Sequence, residues 1–437
     1  MNLQAGKETI YNAEFRRSLE QSNQPGWLKS LRENAFAYFT ENGFPTVQNE
    51  DWKYTNVSAI IKENFGFEAS SIDAETLKIF AYPESKQTQL VFVDGKLNKE
   101  LSDISALPEN AVVLTFEEAL KDERHAQTLK EKLARSINYD FNGFTALNTA
   151  FVDEGAFLHV PKNAKIETPI LLLFVSTNNK ANFPRVLIVA ESFSEATIIE
   201  SYARSNEARY LTDGVVEVFV ADEARIKHFR VQRESHEAFH YTATAVNINR
   251  ASFYDSTNIN LGGKLSRHDI NVKFNAEGGE AFVDGLYMLN DSQHHDTHSV
   301  IDHALPNCNS HQNYKGVLNE KSRGVFNGKV FVREDASGTD AQQSNKNLLL
   351  SNDARVDTKP QLEIFNDDVK CAHGATVGQL EEEELFYLLS RGLSENLARN
   401  LLTYGFAEEI INKIDIESIK KELDEAVLNR LEVNLEA

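Results

Sequence analysis

Residues 325–380 decide the fold, and they read VFNGKVFVREDASGTDAQQSNKNLLLSNDARVDTKPQLEIFNDDVKCAHGATVGQL. The apolar runs in this stretch are short, as in residues 330–332, 348–350 and 362–365, and Gly, Asn, Asp and Pro separate them. This punctuation is typical of short strands joined by turns. From about residue 151 onward, strand alternation replaces helical periodicity, so we predict a mainly β core.

A weak internal repeat runs through this core. A small residue followed by a strand-like segment recurs in units that begin at residues 195, 223, 250, 279, 323 and 353. Subtracting successive starts gives steps of 28, 27, 29, 44 and 30, which indicates a period near 28–30 with one insertion of about 15 residues. Strand-only units of this period predict a right-handed parallel β-helix, with a β-sandwich as the alternative.

The N-terminal part of the chain has a different texture. Residues 9–42 and 116–136 show helical spacing, and the Asp-Gly pair at residues 94–95 predicts a β-hairpin. Trp52 is interpreted as an anchor that packs its segment on the body of the protein, because Trp is usually well buried. We therefore expect a mixed, largely helical N-terminal domain over residues 1–145.

Helical patterns return after the predicted β-helix, which we place at residues 146–378. In the lobe at residues 379–437, Ser394 is a predicted N-cap and Gly405 a predicted helix end. A last amphipathic helix has an apolar face made of Ile416, Ile419, Leu423, Val427 and Leu431. Because a solenoid exposes unpaired strand edges at its ends, we expect this lobe to cap the open end.

Composition excludes several classes of protein. The net charge is −21, which disfavours a nucleic-acid binder because such a protein needs basic groups to neutralise phosphates. No apolar run approaches the roughly 18–20 residues of a membrane span, and no signal pattern begins the chain, so we expect a cytoplasmic protein. Two cysteines make no disulfide framework, and both are expected to be reduced.

Cys371 and His373 are the first candidates for chemistry. In an extended segment they share one face, because side chains alternate along a strand. Thiolate and imidazole are ligands for iron or zinc. The alternative from the residues alone is a small buried thiol beside a histidine that bonds a neighbouring carbonyl.

The segment at residues 340–380 closely resembles the signature of the SufB/SufD family, the scaffold proteins of iron–sulfur cluster assembly. The Trp-Lys-Tyr segment at residues 52–54 is also similar to that family. The resemblance implies a β-helix, a SufB-like paralogue as partner, and a C-terminal lobe that docks a SufC-like ABC ATPase. It leaves open whether the isolated chain forms a homodimer.

The same resemblance implies roles for individual residues. In this family the nascent cluster forms at the subunit interface between a SufB cysteine and a SufD histidine, and the motif of that histidine falls on His373. The carry-over to Cys371 is weaker. The sulfur-accepting cysteine of SufB aligns near Ser344, whose oxygen neither accepts persulfide sulfur nor binds soft iron as a thiolate does. The chain therefore resembles the SufD branch and should need a partner for the sulfur step.

A second cluster contains His294, His295 and His298, followed by further His, Cys and Asp residues to position 311. It lies in the apparent insertion of the repeat. The side-chain types would suit a metal, yet the spacing fits no zinc pattern. The alternative is a polar strand and loop with hydrogen-bonded histidines, and the resemblance gives these residues no role.

Motifs for nucleotide chemistry are missing from the sequence. It contains no P-loop and no dinucleotide fingerprint after a strand, so the ATPase should be a separate chain. The resemblance implies a non-catalytic scaffold subunit that holds a transient cluster or iron at a partner interface, and from the composition we expect it to bind neither nucleic acid nor membrane. The alternatives are a β-helix carbohydrate-active enzyme, which would need clustered carboxylates, and a purely structural subunit.

Overall fold

Strands of about ten residues alternate between two facing sheets along most of the chain. The structure is a computed structural model that describes residues 8–72, 75, 77, 79–108, 111–152 and 155–430. The first sheet has the strand order β2-β1-β5-β8-β10-β12-β14-β16-β18-β20, and the second β19-β17-β15-β13-β11-β9-β7-β4-β3, with β6 paired to β9. In chain order, the strands β1 to β20 are Gln89–Val93, Lys96–Leu97, Val112–Thr115, Ala156–Val160, Ile170–Ser176, Ala181–Asn182, Arg185–Ala190, Glu195–Arg204, Leu211–Val220, Arg225–Arg233, Phe239–Ile248, Phe253–Asn260, Leu265–Phe274, Glu280–Leu289, His294–His303, Asn309–Leu318, Arg323–Val332, Thr339–Leu349, Arg355–Ile364 and Val369–Gly378.

The pairing pattern makes this a parallel β-solenoid of about 8 turns, which confirms the predicted β-helix. Each strand from β9 to β18 pairs in parallel with the strands two before and two after it, so one turn of chain contributes one strand to each sheet. The β-sandwich alternative is wrong, because consecutive strands cross to the opposite sheet instead of pairing as hairpins or Greek keys. Right-handed coiling stays a prediction.

The prediction of an insertion within the sequence repeat is wrong. The units at residues 195, 223, 250 and 279 begin strands of the first sheet, whereas those at 323 and 353 begin strands of the second sheet. The step of 44 residues is therefore about one and a half regular turns. The histidine-rich segment fills strand β15, which pairs in register with β13 and β17.

One corner of each turn is built in the same way. A residue with positive φ lies between a strand of the second sheet and the next strand of the first, at Asn163, Phe193, Glu223, Ala251, Gly278, Asn307 and Gly338. The backbone N–H of each donates to a carbonyl of the following turn, over 2.7–3.2 Å. This column of hydrogen bonds fixes the number of residues in each turn of the solenoid. Every turn must bring one residue with a left-handed backbone conformation to the same corner.

The N-terminal helices pack on the outer face of the second sheet. They are α1 to α6, at Ile10–Gln21, Gly26–Asn42, Ser58–Ile61, Phe116–Ala119, Glu123–Lys132 and Gly143–Ala150. Trp52 is only 4% exposed and stacks on Phe144 with ring centroids 5.5 Å apart, which confirms its anchoring role. The predicted hairpin is present as β1 and β2, with Asp94 and Gly95 both at positive φ. The sheets continue N-terminal of residue 145 through β1 to β3, and the domain limits stay a prediction.

The C-terminal lobe consists of α7 (Glu382–Ser390), α8 (Glu395–Ile411) and α9 (Glu417–Arg430). Ser394 caps α8 as predicted, but α8 runs through Gly405 to Ile411. A glycine inside a helix costs only about 1 kcal/mol relative to alanine, and the buried Ala407, Ile410 and Ile411 hold this last part of the helix against the first sheet. The apolar face of α9 is buried at Ile416, Ile419, Leu423 and Val427, whereas Leu431 lies outside the described residues.

The lobe does not cap the end of the solenoid. Its apolar residues cover the outward side chains of the first sheet, including Phe229, Ile259, Leu286 and Val317. The terminal strands β19 and β20 consequently form open sheet edges, and most of the side chains of β20 are exposed. Within the described ranges, no helix is both long and apolar enough to cross a lipid bilayer.

Candidate functional site

Strand β20 brings Cys371 and His373 to one face at the open end of the solenoid. Cys371 pairs in register with Ala341 and His373 pairs with Gln343, both of which are buried residues of β18. Cys371 also packs against a small core that contains Val330 and Ala341. Both side chains therefore belong to the inner face of the solenoid wall, with Cys371 half-buried and His373 exposed at the last turn.

The two side chains differ in their chemistry. Burial raises the pKa of the Cys371 thiol, and the nearby Asp340 raises it further, against a hydrogen bond with the Ala341 backbone that lowers it. A thiol binds metal as its thiolate, so this environment works against Cys371 as a ligand. His373 presents an imidazole at the surface, where a second subunit could supply further ligands.

Ser344 lies on the neighbouring strand but on the opposite face. It pairs in register with Gly374 and is half-buried, while the side chains beside it on β18, Gln343 and Asn345, are buried. Ser344 therefore faces an open groove on the outer side of the first sheet, which Asp284 and Lys413 also line. The sequence did not show that Ser344 and His373 occupy opposite sides of the wall.

Asp284 is a residue of this groove that sequence reasoning missed. Its Oδ1 accepts from the Asn313 backbone over 3.0 Å, and its Oδ2 lies 2.5 Å from Lys413 Nζ in the turn after α8. Burial raises the pKa of Asp284 to about 6, although Lys413 acts in the opposite direction. The signal in the sequence was an acidic residue within the apolar strand β14, and its role is to bind the lobe to the solenoid.

The histidine cluster divides between the two faces of β15. His294 and His298 point outward beneath the N-terminal domain, whereas His295 points inward. Asp296 lies between the outward pair and contacts Arg267, whose guanidinium packs 3.8 Å from the centre of the Trp52 ring. Burial alone would raise the pKa of Asp296, but His298 and Arg267 outweigh it and hold the pKa well below its ordinary value.

These contacts account for the outward histidines without a metal. His294 Nε2 lies 2.9 Å from Thr55 Oγ1, and His298 Nε2 lies 3.1 Å from Asp296 Oδ1. Across the ranges that the structure describes, no group of three or more His, Cys, Asp and Glu side chains is arranged to hold a metal ion. The geometry thus brings His294 and His298 together with Asp296 but places His295 on the other side of the wall.

Comparison with known proteins assigns the chain to a family. The family model for the SUF system FeS cluster assembly SufBD core domain matches residues 173–406, and the model for the SufBD protein N-terminal region matches residues 7–172. The chain belongs to the SufBD family. This membership agrees with the resemblance at residues 340–380 and extends it over both matched regions.

Three SufBD relatives show how far the similarity extends. An iron–sulfur cluster assembly SufBD family protein of Synechocystis is 35% identical over 415 residues, which cover 92% of this chain and 90% of the relative. The iron–sulfur cluster assembly protein SufD of Escherichia coli is 31% identical over 395 residues, covering 89% and 90%. SufD of Bacillus subtilis is 28% identical over 433 residues, covering 96% and 97%. The chain is therefore a SufD-like iron–sulfur cluster assembly protein.

The interior of this SufBD solenoid contains a buried polar network that the sequence did not reveal. Glu200 Oε1 lies 2.8 Å from His228 Nε2, and Glu234 Oε2 lies 2.5 Å from His240 Nδ1. Arg230 lies between the two pairs, where it contacts His240 and donates to further polar groups of the interior. Burial opposes ionisation, but His228 and His240 outweigh it and lower the pKa of their partners Glu200 and Glu234. Both carboxylates are thus held ionised inside the wall.

Buried neutral histidines of this interior predict acid sensitivity. His303 Nε2 lies 2.8 Å from Ser310 Oγ, and burial lowers the pKa of His303 to about 4, against the raising effect of Asp302. The pKa of His303 is lower in the folded protein than in the unfolded chain, so protonation of this side chain favours unfolding. The stability that neutral His303 contributes is fully present above about pH 6.5 and is lost as the pH falls toward 4. We expect His303 to account for about 2–3 kcal/mol of the unfolding free energy lost between about pH 7 and pH 4.5.

Urea unfolding at the two pH values checks this expectation. His303→Gln should flatten the pH dependence by that amount, whereas His236→Gln, at a half-exposed histidine of a turn, should leave it unchanged. Equal pH dependence in the wild type and His303→Gln would show that His303 does not titrate on unfolding.

Proposed function

We propose that this chain is the SufD-type subunit of an assembly scaffold, which pairs with a SufB-like paralogue and docks a SufC-like ABC ATPase. A nascent iron–sulfur cluster, or its iron, is cargo held transiently at the shared interface. The chain itself catalyses no reaction and acts in the cytoplasm. The observation that carries this proposal is the open last turn of the solenoid, with His373 exposed on it.

The edge made by β19 and β20 supports the pairing. Among the described residues, no strand pairs with the free side of β19 or β20, and such an edge invites a further strand from another chain. Phe365 is 57% exposed and Val377 is 48% exposed beside it. A SufB-like subunit with the same coil dimensions would continue both sheets and cover these side chains. The isolated chain would use the same edge to form a homodimer.

His373 lies where such a pairing would enclose it. Its imidazole is a ligand for iron, and a cysteine thiolate from the paralogue would supply the soft ligand that Ser344 lacks. Cys371 is the secondary candidate, because its thiol is raised in pKa and packs against the core. In this arrangement the chain contributes one nitrogen ligand and positions the interface, and the partner accepts the sulfur.

Helix α7 supports ATPase docking. None of its residues is buried, and Phe386 and Tyr387 are exposed although both are large and aromatic. Leu397 and Leu401 of α8 extend this apolar surface, whereas the later part of α8 packs on the solenoid. Apolar patches with a polar rim mark sites of protein association. The acidic residues at 381–384 form that rim and favour a partner surface with basic groups.

Pairing through the edge is tested by co-purification. We expect the double variant Phe365→Lys and Val377→Lys to lose the paralogue when both chains are co-expressed and purified through a tag on this one. Phe193→Lys is the matched control, because Phe193 is similarly exposed but lies at a corner of an inner turn. Equal recovery of the paralogue with the double variant and with the control would overturn the edge as the pairing surface.

A further inference from the structure

A chain of buried amides crosses the interior of the solenoid and stops one strand short of His373. Gln312 Nε2 of β16 donates to Ser299 Oγ over 2.7 Å, and Gln343 Nε2 of β18 donates to Gln312 Oε1 over 2.7 Å. Gln343 is only 3% exposed. Its side chain is therefore held by the turn before it, with the amide oxygen as the free end of the chain.

That oxygen has no partner. Gln343 Oε1 is buried and makes no hydrogen bond with any described residue. A buried hydrogen-bond acceptor left without a donor costs about 1–3 kcal/mol. An unpaired oxygen at the end of these ordered side-chain hydrogen bonds therefore requires an explanation. The opposite wall leaves room for the amide, since Gly328 of β17 has no Cβ and an added one would lie 2.4 Å from Gln343 Nε2.

The next side chain in line is His373. It pairs in register with Gln343 on the following strand and lies on the same face. Imidazole has two ring nitrogens, and a neutral ring carries a hydrogen on one and a lone pair on the other. A fixed carbonyl oxygen beside the ring selects which nitrogen keeps the hydrogen, as occurs for metal-binding histidines in general.

We infer that Gln343 is a positioning residue for His373: when the exposed His373 ring turns toward the wall, Gln343 Oε1 accepts the N–H of one ring nitrogen and the lone pair of the other points away from the wall. The bond satisfies the orphan oxygen, and it holds the exposed ring in one tautomer and one orientation. The predicted effect on iron binding rests on the proposed function of His373. The predicted tautomer does not depend on that function.

The tautomer is measured on the isolated chain by nitrogen NMR after ring labelling of its 12 histidines, with His373 assigned from the signals lost in His373→Ala. At a pH where the imidazole is neutral, we expect one protonated and one unprotonated ring-nitrogen signal. Gln343→Met should move both signals toward the average of exchanging tautomers, and Gln343→Glu, which keeps an acceptor, should restore them. Gln342→Met, an exposed neighbour on the opposite face, is the control and should change nothing.

Averaged signals in the wild type, or signals unchanged in Gln343→Met, would overturn the inference. Gln343→Leu provides the same readout if the methionine variant does not fold. In the assembled complex, Gln343→Met should weaken iron retention about 10- to 100-fold, with recovery in Gln343→Glu. If the tautomer responds while iron retention does not, the positioning stands and the ligand role of His373 fails.

Discussion

Replacing His373 with alanine is expected to leave the assembled complex intact and to strip it of iron. The side chain is exposed on the last strand, so removing it should lower the unfolding free energy by no more than the about 1–3 kcal/mol of leaving Gln343 Oε1 without a donor, and the chain should still fold. As a direct ligand, it should reduce iron retention by at least the roughly 10- to 100-fold seen when the outer-shell partner of a ligating histidine is lost. Iron and acid-labile sulfide in the co-purified complex measure this effect.

Three companion variants separate the ligand role from general damage. Cys371→Ser should cost less than His373→Ala, since burial disfavours the Cys371 thiolate. Ser344→Ala should be nearly silent, because its hydroxyl faces the outer groove. His311→Ala removes an imidazole that lies in the outer groove and stacks on Phe282, and it should retain iron. Wild-type iron in the His373→Ala complex would instead support a purely structural subunit.

The second large effect is expected at the proposed ATPase-docking surface, where Phe386→Asp should abolish recovery of the ATPase with this chain. Phe386 is 72% exposed on α7, so the change should leave the fold of the chain almost unaltered. If the ring is a central anchor of the docking surface, its loss costs about 2–4 kcal/mol, or roughly 30- to 1,000-fold in affinity. Titration of the purified chain with the ATPase measures the difference.

The control for this variant is Phe141→Asp, which adds the same charge at an exposed phenylalanine of the N-terminal domain. It should bind the ATPase as the wild type does. Unchanged affinity in Phe386→Asp would place the ATPase elsewhere on the chain, and equal loss in both variants would indicate a charge effect without a specific surface.

Much of the fold was predictable, because the signals that set it are local. Strand alternation and the period near 28–30 predicted the solenoid, and Ser394 and the apolar face of α9 predicted the lobe. The errors came from features that a sequence pattern does not separate. Both sheets begin their strands with similar residues, so a change of sheet imitated an insertion. Gly405 lies inside α8 because packing of the following turn on the sheet outweighs a weak local propensity.

The site was only partly predictable, for a related reason. In β10, polar His228 and Arg230 alternate with apolar Phe229 and Val231, a pattern that normally indicates a polar face in water. Here the lobe covers the apolar face and the polar residues fill the interior. An alternating sequence shows that a strand has one polar and one apolar face. When both faces are covered by other parts of the protein, it does not show which face lies in the interior. In the same way, the spacing of Cys371 and His373 predicted a shared face, while the orphan oxygen of Gln343 required the register between strands.

We propose above all that this chain completes a shared cluster site at the open end of its solenoid. The most direct measurement is the iron and acid-labile sulfide content of the complex purified without oxygen through a tag on this chain, after co-expression with a SufB-like paralogue and a SufC-like ATPase. We predict that all three chains elute together with iron and sulfide, and that the paralogue and ATPase expressed without this chain retain far less of both. Elution of this chain alone, or equal iron and sulfide in the other two chains without it, would contradict a shared cluster site.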